Sequence, residues 1–239
     1  MTEMLFRTDP YQRSARGKVT GHTDEGGIVV DQTIFYPTGG GQPGDSGLIA
    51  WDGHEMPIAT AVKGDGDDIV LVPAEPMALP PIGAFIEQHL DWERRHKHMR
   101  VHTALHLLSV VIPLPVTGGQ VSAGRGRLDF AMPEAPSDRD GLEAALQRLV
   151  EQDLEVSETW VSDEVLQATP ELVKTMSVKP PHGAGQVRLV RIGRGGDQVD
   201  LQPCGGTHVA RTGEIGSLKL GKIENKGRQN RRVNLLLEN

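Results

Sequence analysis

The chain has 239 residues, of which 37% are hydrophobic and 24% are charged, and its formal net charge is −7. This length is sufficient for one large domain or two modest ones, each with its own hydrophobic core. The acidic balance argues against a general nucleic-acid coat, because duplex binding depends on Lys and Arg side chains that neutralise phosphates.

No segment of the sequence indicates a membrane or an export route. No run approaches the ~18 apolar residues of a membrane helix, and no basic stretch is followed by an apolar leader. The single cysteine excludes an internal disulfide and fits a reducing compartment. We therefore expect a cytoplasmic protein.

The first 88 residues predict a small β-barrel domain. Short apolar segments recur about every ten residues, with turn residues between them, as in small barrels. The predicted strands lie at residues 17–21, 27–30, 33–36, 48–51 and 68–72. A proline-rich segment at residues 73–83 favours a connection or a sheet edge over a helix.

Within this domain a predicted strand leads into three consecutive glycines. The segment reads TIFYPTGGGQPGDSG from Thr33 to Gly47. Because glycine has no Cβ, such a loop lets backbone N–H groups approach a ligand closely. A plain tight turn is an equally good interpretation of the glycines at this stage. The loop is not a nucleotide-binding P-loop, because no Gly-Lys-Ser/Thr follows it.

Residues 89–239 have a mixed helical and strand pattern. One helix is predicted from a cap at Asp91 to the prolines at 113 and 115, and a second from a cap at Ser137 to Leu154. Shorter helices are predicted at residues 163–169 and 170–176, and strands at 127–130, 156–161, 186–192, 217–220 and 232–237. The predicted fold class is α+β, a small barrel (1–88) followed by a domain (89–239) with helices packed on an antiparallel sheet.

Two motifs in the second domain have the spacing of metal ligands. His102 and His106 lie four residues apart on a predicted helix, so both imidazoles project from one face. Cys204 and His208 repeat that spacing around a glycine pair, and three imidazoles with one thiolate make a tetrahedral zinc set. A core histidine is the alternative for His106 alone. Zinc peptidases have a glutamate directly after the first histidine, whereas this chain has Thr103.

Two basic segments interrupt the acidic balance. Arg94, Arg95, Lys97 and Arg100 lie close together, and the tail from residue 209 has seven basic residues against three acidic ones. Such segments are most often solvated surface. They would also suit a partner that contacts one side of an otherwise acidic protein.

Three motifs, in this order, resemble the alanyl-tRNA editing (AlaX) family. They are TIFYPTGGGQPGDSG, DWERRHKHMRVHTALHLLS and DLQPCGGTHV. The paired HxxxH and CxxxH motifs are also similar to those of the threonyl-tRNA synthetase editing domain, but the block FYPTGGGQ favours the alanyl branch. The resemblance covers nearly the whole chain. Since no aminoacylation core accompanies the motifs, it implies a protein that edits in trans.

The resemblance implies a zinc-dependent deacylase. Its substrate would be Ser-tRNA(Ala), with Gly-tRNA(Ala) as a second substrate, and Ala-tRNA(Ala) would be spared. One zinc ion would bind the ligands His102, His106, Cys204 and His208. The partner would be the acceptor end of mischarged tRNA(Ala), with its phosphates near Arg94, Arg95, Lys97 and the tail, and monomer and homodimer both stay open.

The resemblance also assigns residues to the aminoacyl pocket. The glycine-rich block, with Gly40, Gly41 and Gln42, would approach the pocket, and Gln120 would match a family glutamine that follows the HxxxH helix. Thr33 and Thr103 are rival candidates for the hydroxyl that senses the serine side chain.

The chemistry leaves three functions open. An aminoacyl ester is already activated, so its hydrolysis needs a placed water and support for the developing oxyanion. Four protein ligands describe a closed zinc site, so the sequence does not decide whether zinc activates water or positions the substrate. The alternatives to editing are a zinc-stabilised RNA-binding module without activity and a metal-dependent esterase that acts on other aminoacyl groups.

Overall fold

The computed structural model describes residues 1–169 and 186–238. The chain divides into two compact units, Met1–His96 and Lys97–Asn239, and the division falls within one long helix. The short helix predicted at residues 170–176 lies outside the described residues. Across the ranges that are described, no helix combines the length and apolar character needed to cross a membrane.

The first unit is built around a closed antiparallel barrel. Its strands follow one another around the barrel in the order β2-β3-β7-β6-β5-β8. The elements of this unit are β1 (Glu3–Met4), α1 (Leu5–Thr8), β2 (Ser14–His22), β3 (Ile28–Val30), β4 (Gln32–Thr33), β5 (Gly47–Trp51), β6 (His54–Lys63), β7 (Ile69–Pro73), β8 (Phe85–Leu90) and the start of α2 (Trp92–Val111). Inward-facing side chains such as Ile49, Ile58 and Leu71 fill the interior, which confirms the predicted small barrel.

The strand predicted at residues 33–36 is wrong beyond Thr33. The strand β4 ends at Thr33, and Ile34, Phe35 and Tyr36 continue as irregular chain. These three side chains are nevertheless buried in the barrel core. Their β-branched and aromatic character therefore reflects burial rather than sheet pairing, a distinction that β-propensity does not make.

The second unit contains two antiparallel sheets, with strand orders β14-β15-β10-β9 and β11-β12-β13. Its elements after α2 are β9 (Val116–Ser122), β10 (Arg125–Ala131), α3 (Arg139–Glu151), β11 (Val156–Ser162), α4 (Asp163–Ala168), β12 (Gln186–Ile192), β13 (Asp200–Pro203), β14 (Leu218–Asn225) and β15 (Asn230–Leu237). Short 3-10 helices lie at Gly195–Asp197 and Thr212–Ile215. Together with the barrel, these sheets and helices confirm the predicted α+β class.

Helix α2 packs closely on β10 at a glycine. A Cβ atom at Gly126 would lie 2.6 Å from Val101 Cγ1 and 3.0 Å from Leu105 Cδ1. No larger residue fits there without displacing the helix, because interiors are close-packed.

The next helix, α3, begins at an Asp138 cap. The Asp138 carboxylate accepts the Gly141 N–H at 2.8 Å, so the predicted Ser137 cap is wrong by one residue.

A buried ion pair fixes the first turn of α2 in the first unit. Arg95 and Asp45 are 0% and 1% exposed, and Arg95 Nε donates to both carboxylate oxygens at 3.0 and 2.9 Å. The remaining guanidinium nitrogens donate to the carbonyls of Pro10 at 2.9 Å and Ile34 at 2.6 Å. A residue held in this way cannot reach an RNA phosphate, so the prediction that Arg95 contacts the tRNA backbone is wrong.

Replacing Arg95 tests how much this network stabilises the protein. We expect Arg95→Met to lower the free energy of unfolding by about 3–5 kcal/mol, because it leaves the Asp45 carboxylate buried without its partner. Urea unfolding measures the change. The neighbouring Arg94, whose partly exposed side chain donates to Ser46 Oγ at 2.9 Å, provides the control, and Arg94→Met should cost about 1 kcal/mol or less. Equal losses for the two variants would contradict the buried network.

Candidate metal centre

The four residues with metal-ligand spacing converge in the second unit. One donor atom from each of His102, His106, Cys204 and His208 lies within 4.8 Å of the others. Cys204 Sγ is 3.5 Å from His102 Nε2 and 3.2 Å from His208 Nε2. The three histidines are buried and Cys204 is partly buried. This group can therefore hold a metal ion.

The two halves of the cluster come from different kinds of element. His102 and His106 lie one turn apart on α2, whereas β13 delivers Cys204 at its end. The Cys204 N–H donates to the Arg188 carbonyl at 3.2 Å, which extends the pairing of β13 with β12 by one residue. Arg188 Nη1 donates to the carbonyls of Cys204 at 2.8 Å and Gly206 at 3.0 Å. This guanidinium holds the ligand loop in place.

The donor set and its spacing fit zinc. With Zn–N near 2.0–2.1 Å and Zn–S near 2.3 Å, neighbouring nitrogen and sulfur ligands of a tetrahedral ion lie about 3.5 Å apart. The two measured distances from Cys204 Sγ, 3.5 and 3.2 Å, are close to that spacing. Imidazole nitrogen and thiolate sulfur are also the ligand atoms that zinc commonly takes.

A buried carboxylate orients His106. Its Nδ1 lies 2.9 Å from Asp200 Oδ2, and Asp200 is 2% exposed. Gln202 Nε2 donates to the same oxygen at 2.8 Å. Since Nδ1–H donates to the carboxylate, Nε2 is the nitrogen left for a metal, an arrangement typical of protein zinc sites.

Thr103 supports His208 in a similar way. Its hydroxyl donates to the Met99 carbonyl at 3.0 Å, so its oxygen is free to accept the His208 Nδ1–H at 3.1 Å. The Val209 N–H also donates to this oxygen at 3.3 Å. The hydroxyl thereby directs Nε2 of His208 toward the cluster.

The electrostatics favour the metal-binding forms of Cys204 and His208, but not that of His106. Burial would raise the pKa of the Cys204 thiol, but the imidazoles of His102 and His208 outweigh it and hold that pKa well below its usual value. Burial, followed by the charge of His102, lowers the pKa of His208 to about 3. Burial also lowers the pKa of His106, but the hydrogen bonds of its ring to Asp200 and Cys204 outweigh it and raise this pKa to about 9. The lowered pKa values of Cys204 and His208 favour the thiolate and the neutral imidazole that metal ligation requires, whereas His106, with its raised pKa, would release a proton on binding a metal.

The predicted pocket residues of the first unit form a tight turn and a buried contact. Gly39 and Gln42 exchange backbone hydrogen bonds at 3.0 and 2.9 Å, and the φ angles of Gly40 and Gly41 are 57° and 82°. Two central residues with positive φ define a type I′ turn, which favours glycine. Gln42 is 1% exposed, and Thr33 is buried with its hydroxyl donating to Gln88 Oε1 at 2.6 Å.

In the second unit, Thr103 contacts the ligand cluster through His208. Gln120 lies outside this cluster. Gln120 is exposed on β9, where its Oε1 accepts a hydrogen bond from Arg127 Nε at 3.2 Å. The sequence interpretation missed Asp200, Gln202 and Arg188. A signal for the first two was present, since Asp200 and Gln202 alternate with apolar residues in the strand that leads to Cys204, on the same face as the thiol.

Comparisons with known proteins agree with these features. Residues 187–234 match the family model of the threonyl and alanyl tRNA synthetase second additional domain, and residues 10–94 match that of the class II (A) tRNA synthetases. The chain is 32% identical to the alanyl-tRNA editing proteins AlaX-M of Methanosarcina acetivorans and Methanosarcina barkeri, over 98% of the chain and 98% of each relative. It is also 32% identical to the alanine–tRNA ligase of Pyrobaculum arsenaticum, over 93% of the chain but 25% of that enzyme.

The second unit therefore includes a region similar to the second additional domain of the threonyl and alanyl tRNA synthetases. More specifically, the chain belongs to the alanyl-tRNA editing protein AlaX family, as the sequence motifs had indicated.

The carboxylate behind His106 provides a test of the metal centre. We expect Asp200→Asn to weaken zinc binding by about 10- to 100-fold, because the amide cannot orient and polarise His106 as the carboxylate does. Competition with a coloured chelator measures the affinity. Asp197, an exposed acid in the neighbouring 3-10 helix, provides the matched control, and Asp197→Asn should bind zinc as the unmodified protein does. Equal affinities for the two variants would contradict the role of Asp200.

Proposed function

We propose that this protein is a trans-acting editing hydrolase. It deacylates Ser-tRNA(Ala), takes Gly-tRNA(Ala) as a second substrate and spares Ala-tRNA(Ala). The observation that carries the proposal is the four-ligand cluster, found in a chain whose relatives over 98% of their length are named alanyl-tRNA editing proteins. We place the activity in the cytoplasm, where a single free thiol persists in reduced form.

The residues of the cluster define what a metal would do here. His102, His106, Cys204 and His208 would hold a zinc ion, which supplies a Lewis acid when bound. Because four protein ligands close the coordination sphere, binding and orienting the ester falls to the surrounding residues. For the oxyanion we propose the N–H groups of Gly40 and Gly41, which lie outside the hydrogen bonds of their own turn, while the buried Gln42 supports that turn through its backbone. Gln120 is a further pocket residue.

In this proposal, discrimination against the alanine ester depends on a protein hydroxyl that hydrogen-bonds the serine side chain. A site that hydrogen-bonds the serine hydroxyl is left with an unpaired buried polar group when alanine enters, and that loss disfavours alanine. Thr33 and Thr103 are the two candidates for this hydrogen bond. Each already has protein partners, Gln88 for Thr33 and His208 with Met99 for Thr103.

The proposed partner is the acceptor end of tRNA(Ala). Several basic side chains of the tail already form ion pairs, namely Arg211 with Asp153, Lys219 with Glu238, Lys226 with Glu224 and Arg232 with Asp129. Lys97, Lys222 and Arg228 are exposed, and no ion pair is found for them among the described residues. We propose these three as the phosphate contacts of the second unit.

Deacylation of Ser-tRNA(Ala), with Ala-tRNA(Ala) as the control ester, tests the function. We expect the unmodified protein to hydrolyse the serine ester and to spare the alanine ester, and Cys204→Ala to lose both zinc and activity because one of the four ligands is removed. Thermal unfolding confirms that the variant is folded, and removal of zinc from the unmodified protein by a chelator should reproduce the loss.

Two results would contradict editing and identify the alternative. An unmodified protein that binds zinc stoichiometrically and leaves Ser-tRNA(Ala) intact would be a zinc-stabilised RNA-binding module. Hydrolysis of free amino acid esters at the same rate as the tRNA ester would identify a general esterase.

Replacing Thr103 separates its two proposed roles. We expect Thr103→Val to weaken zinc binding and to slow hydrolysis of the serine and glycine esters alike, because the His208 Nδ1–H loses its acceptor. Thr103→Ser keeps the hydroxyl and should restore both. Chelator competition and single-turnover hydrolysis measure the effects. A selective loss of serine ester hydrolysis at unchanged zinc affinity would instead assign serine sensing to Thr103.

A further inference from the structure

One exposed aromatic residue lies on the sheet that carries Cys204. After His96 the sequence contains only two residues of the Phe, Tyr and Trp type, Phe130 and Trp160. Phe130 is 0% exposed, whereas Trp160 is 45% exposed on β11. If an aromatic ring of the second unit contacts a ligand, it is therefore that of Trp160.

Strand register places Trp160 in line with the metal ligand. Trp160 pairs with Arg188 across β11 and β12, and the Cys204 N–H donates to the Arg188 carbonyl across the next strand boundary. Trp160, Arg188 and Cys204 therefore form one row across three adjacent strands. Neighbouring residues in antiparallel sheets have Cα atoms 4.5–5.5 Å apart, so the Cα atoms of Trp160 and Cys204 are about 10 Å apart.

The row lies on the face of the sheet that carries the metal centre. Val161 points to the opposite face, where it packs with Leu166, Val187 and Leu189. Because side chains alternate along a strand, Trp160 shares its face with Glu158, and the ion pair between Glu158 and Arg188 confirms the assignment. The same face of the sheet carries Asp200 and Gln202 behind His106.

Arg188 lies between the tryptophan and the ligand loop in this row, and its guanidinium is held by protein partners. Its guanidinium donates to two carbonyls of the ligand loop and to Glu158, and its side chain is only 10% exposed. The Arg188 side chain is therefore held in place between Trp160 and Cys204. Trp160 ends this row on the edge strand β11, where it is 45% exposed.

We propose that Trp160 stacks against the base of the 3′-terminal nucleotide of the acylated tRNA. This inference rests on the proposed editing function. The ester that is hydrolysed lies on the terminal ribose, so the terminal base must lie within one nucleoside of the reacting carbonyl. A row about 10 Å long from Cys204 to Trp160 matches that span. Aromatic stacking suits this base because it binds any base through its π-face and adds no charge.

Substitutions at Trp160 test the proposal through binding rather than chemistry. Stacking on one base makes a contribution that corresponds to a change of about 5- to 150-fold in affinity. We expect Trp160→Ala and Trp160→Leu to raise KM for Ser-tRNA(Ala) within this range at nearly unchanged kcat and zinc content. Trp160→Phe, which keeps a ring, should lose less. Leu236→Ala, which removes an equally exposed side chain (43%) from β15, should leave KM unchanged.

A second measurement does not depend on editing activity. In a protein with Trp51→Phe and Trp92→Phe, fluorescence comes from Trp160 alone, and deacylated tRNA(Ala) should quench it. tRNA(Ala) that lacks its 3′-terminal nucleotide should bind more weakly and quench little. If Ser-tRNA(Ala) is not hydrolysed but this quenching difference is seen, editing fails and the stacking contact stands. Equal quenching by the two RNAs, or an unchanged KM for Trp160→Leu, would overturn the stacking contact.

Discussion

The second unit depends on the meeting of one face of α2 with the end of β13. His102 and His106 on the helix can bind the same ion as Cys204 and His208 only if helix and strand end are held within a few ångströms. Gly126 permits the close approach of α2 to β10, and the hydrogen bond between His106 and Asp200 joins α2 to β13. Packing and polar contacts therefore align the cluster before any metal is considered.

Burying three imidazoles and a thiolate in one place has a cost that a metal would offset. Buried polar groups are tolerated only when they are hydrogen-bonded or coordinated. Here Asp200 and Thr103 accept the Nδ1–H groups of His106 and His208, while the Nε2 atoms and the sulfur face one another. The outward Nδ1–H groups of His106 and His208 are bonded to surrounding protein, whereas on the inward side the four ligand residues face one another. This asymmetry is characteristic of a metal centre rather than of a polar core.

The four ligands could be predicted because their spacing, four residues apart on a helix and again on a loop, can be recognised in the sequence without knowledge of the fold. The barrel was predictable for a similar reason, since its strands alternate and end at turn residues. The path of Ile34 to Tyr36 was not, because core burial selects the same residue types as a strand. Arg95 was misassigned because it lies among basic residues that are at least partly exposed, and its buried partner, Asp45, lies fifty positions away. Asp200 was missed because its partner is distant in sequence as well.

A closed set of four ligands changes what the rest of the site must do. If the protein saturates the ion, catalysis depends on how accurately the ester is held, since a carbonyl misplaced by about an ångström loses much of the rate. Accuracy of this kind requires contacts on both sides of the ester. Under the proposed function, the aminoacyl side would need a hydroxyl partner for serine, and the nucleoside side would need a rigid surface for the terminal base. Trp160, separated from Cys204 by Arg188, would provide such a surface on the same sheet as the ligand loop. If the terminal tRNA base binds Trp160, one sheet would hold both this base and the Cys204 thiolate. The distance between them would then be fixed, and binding of the base would itself position the ester.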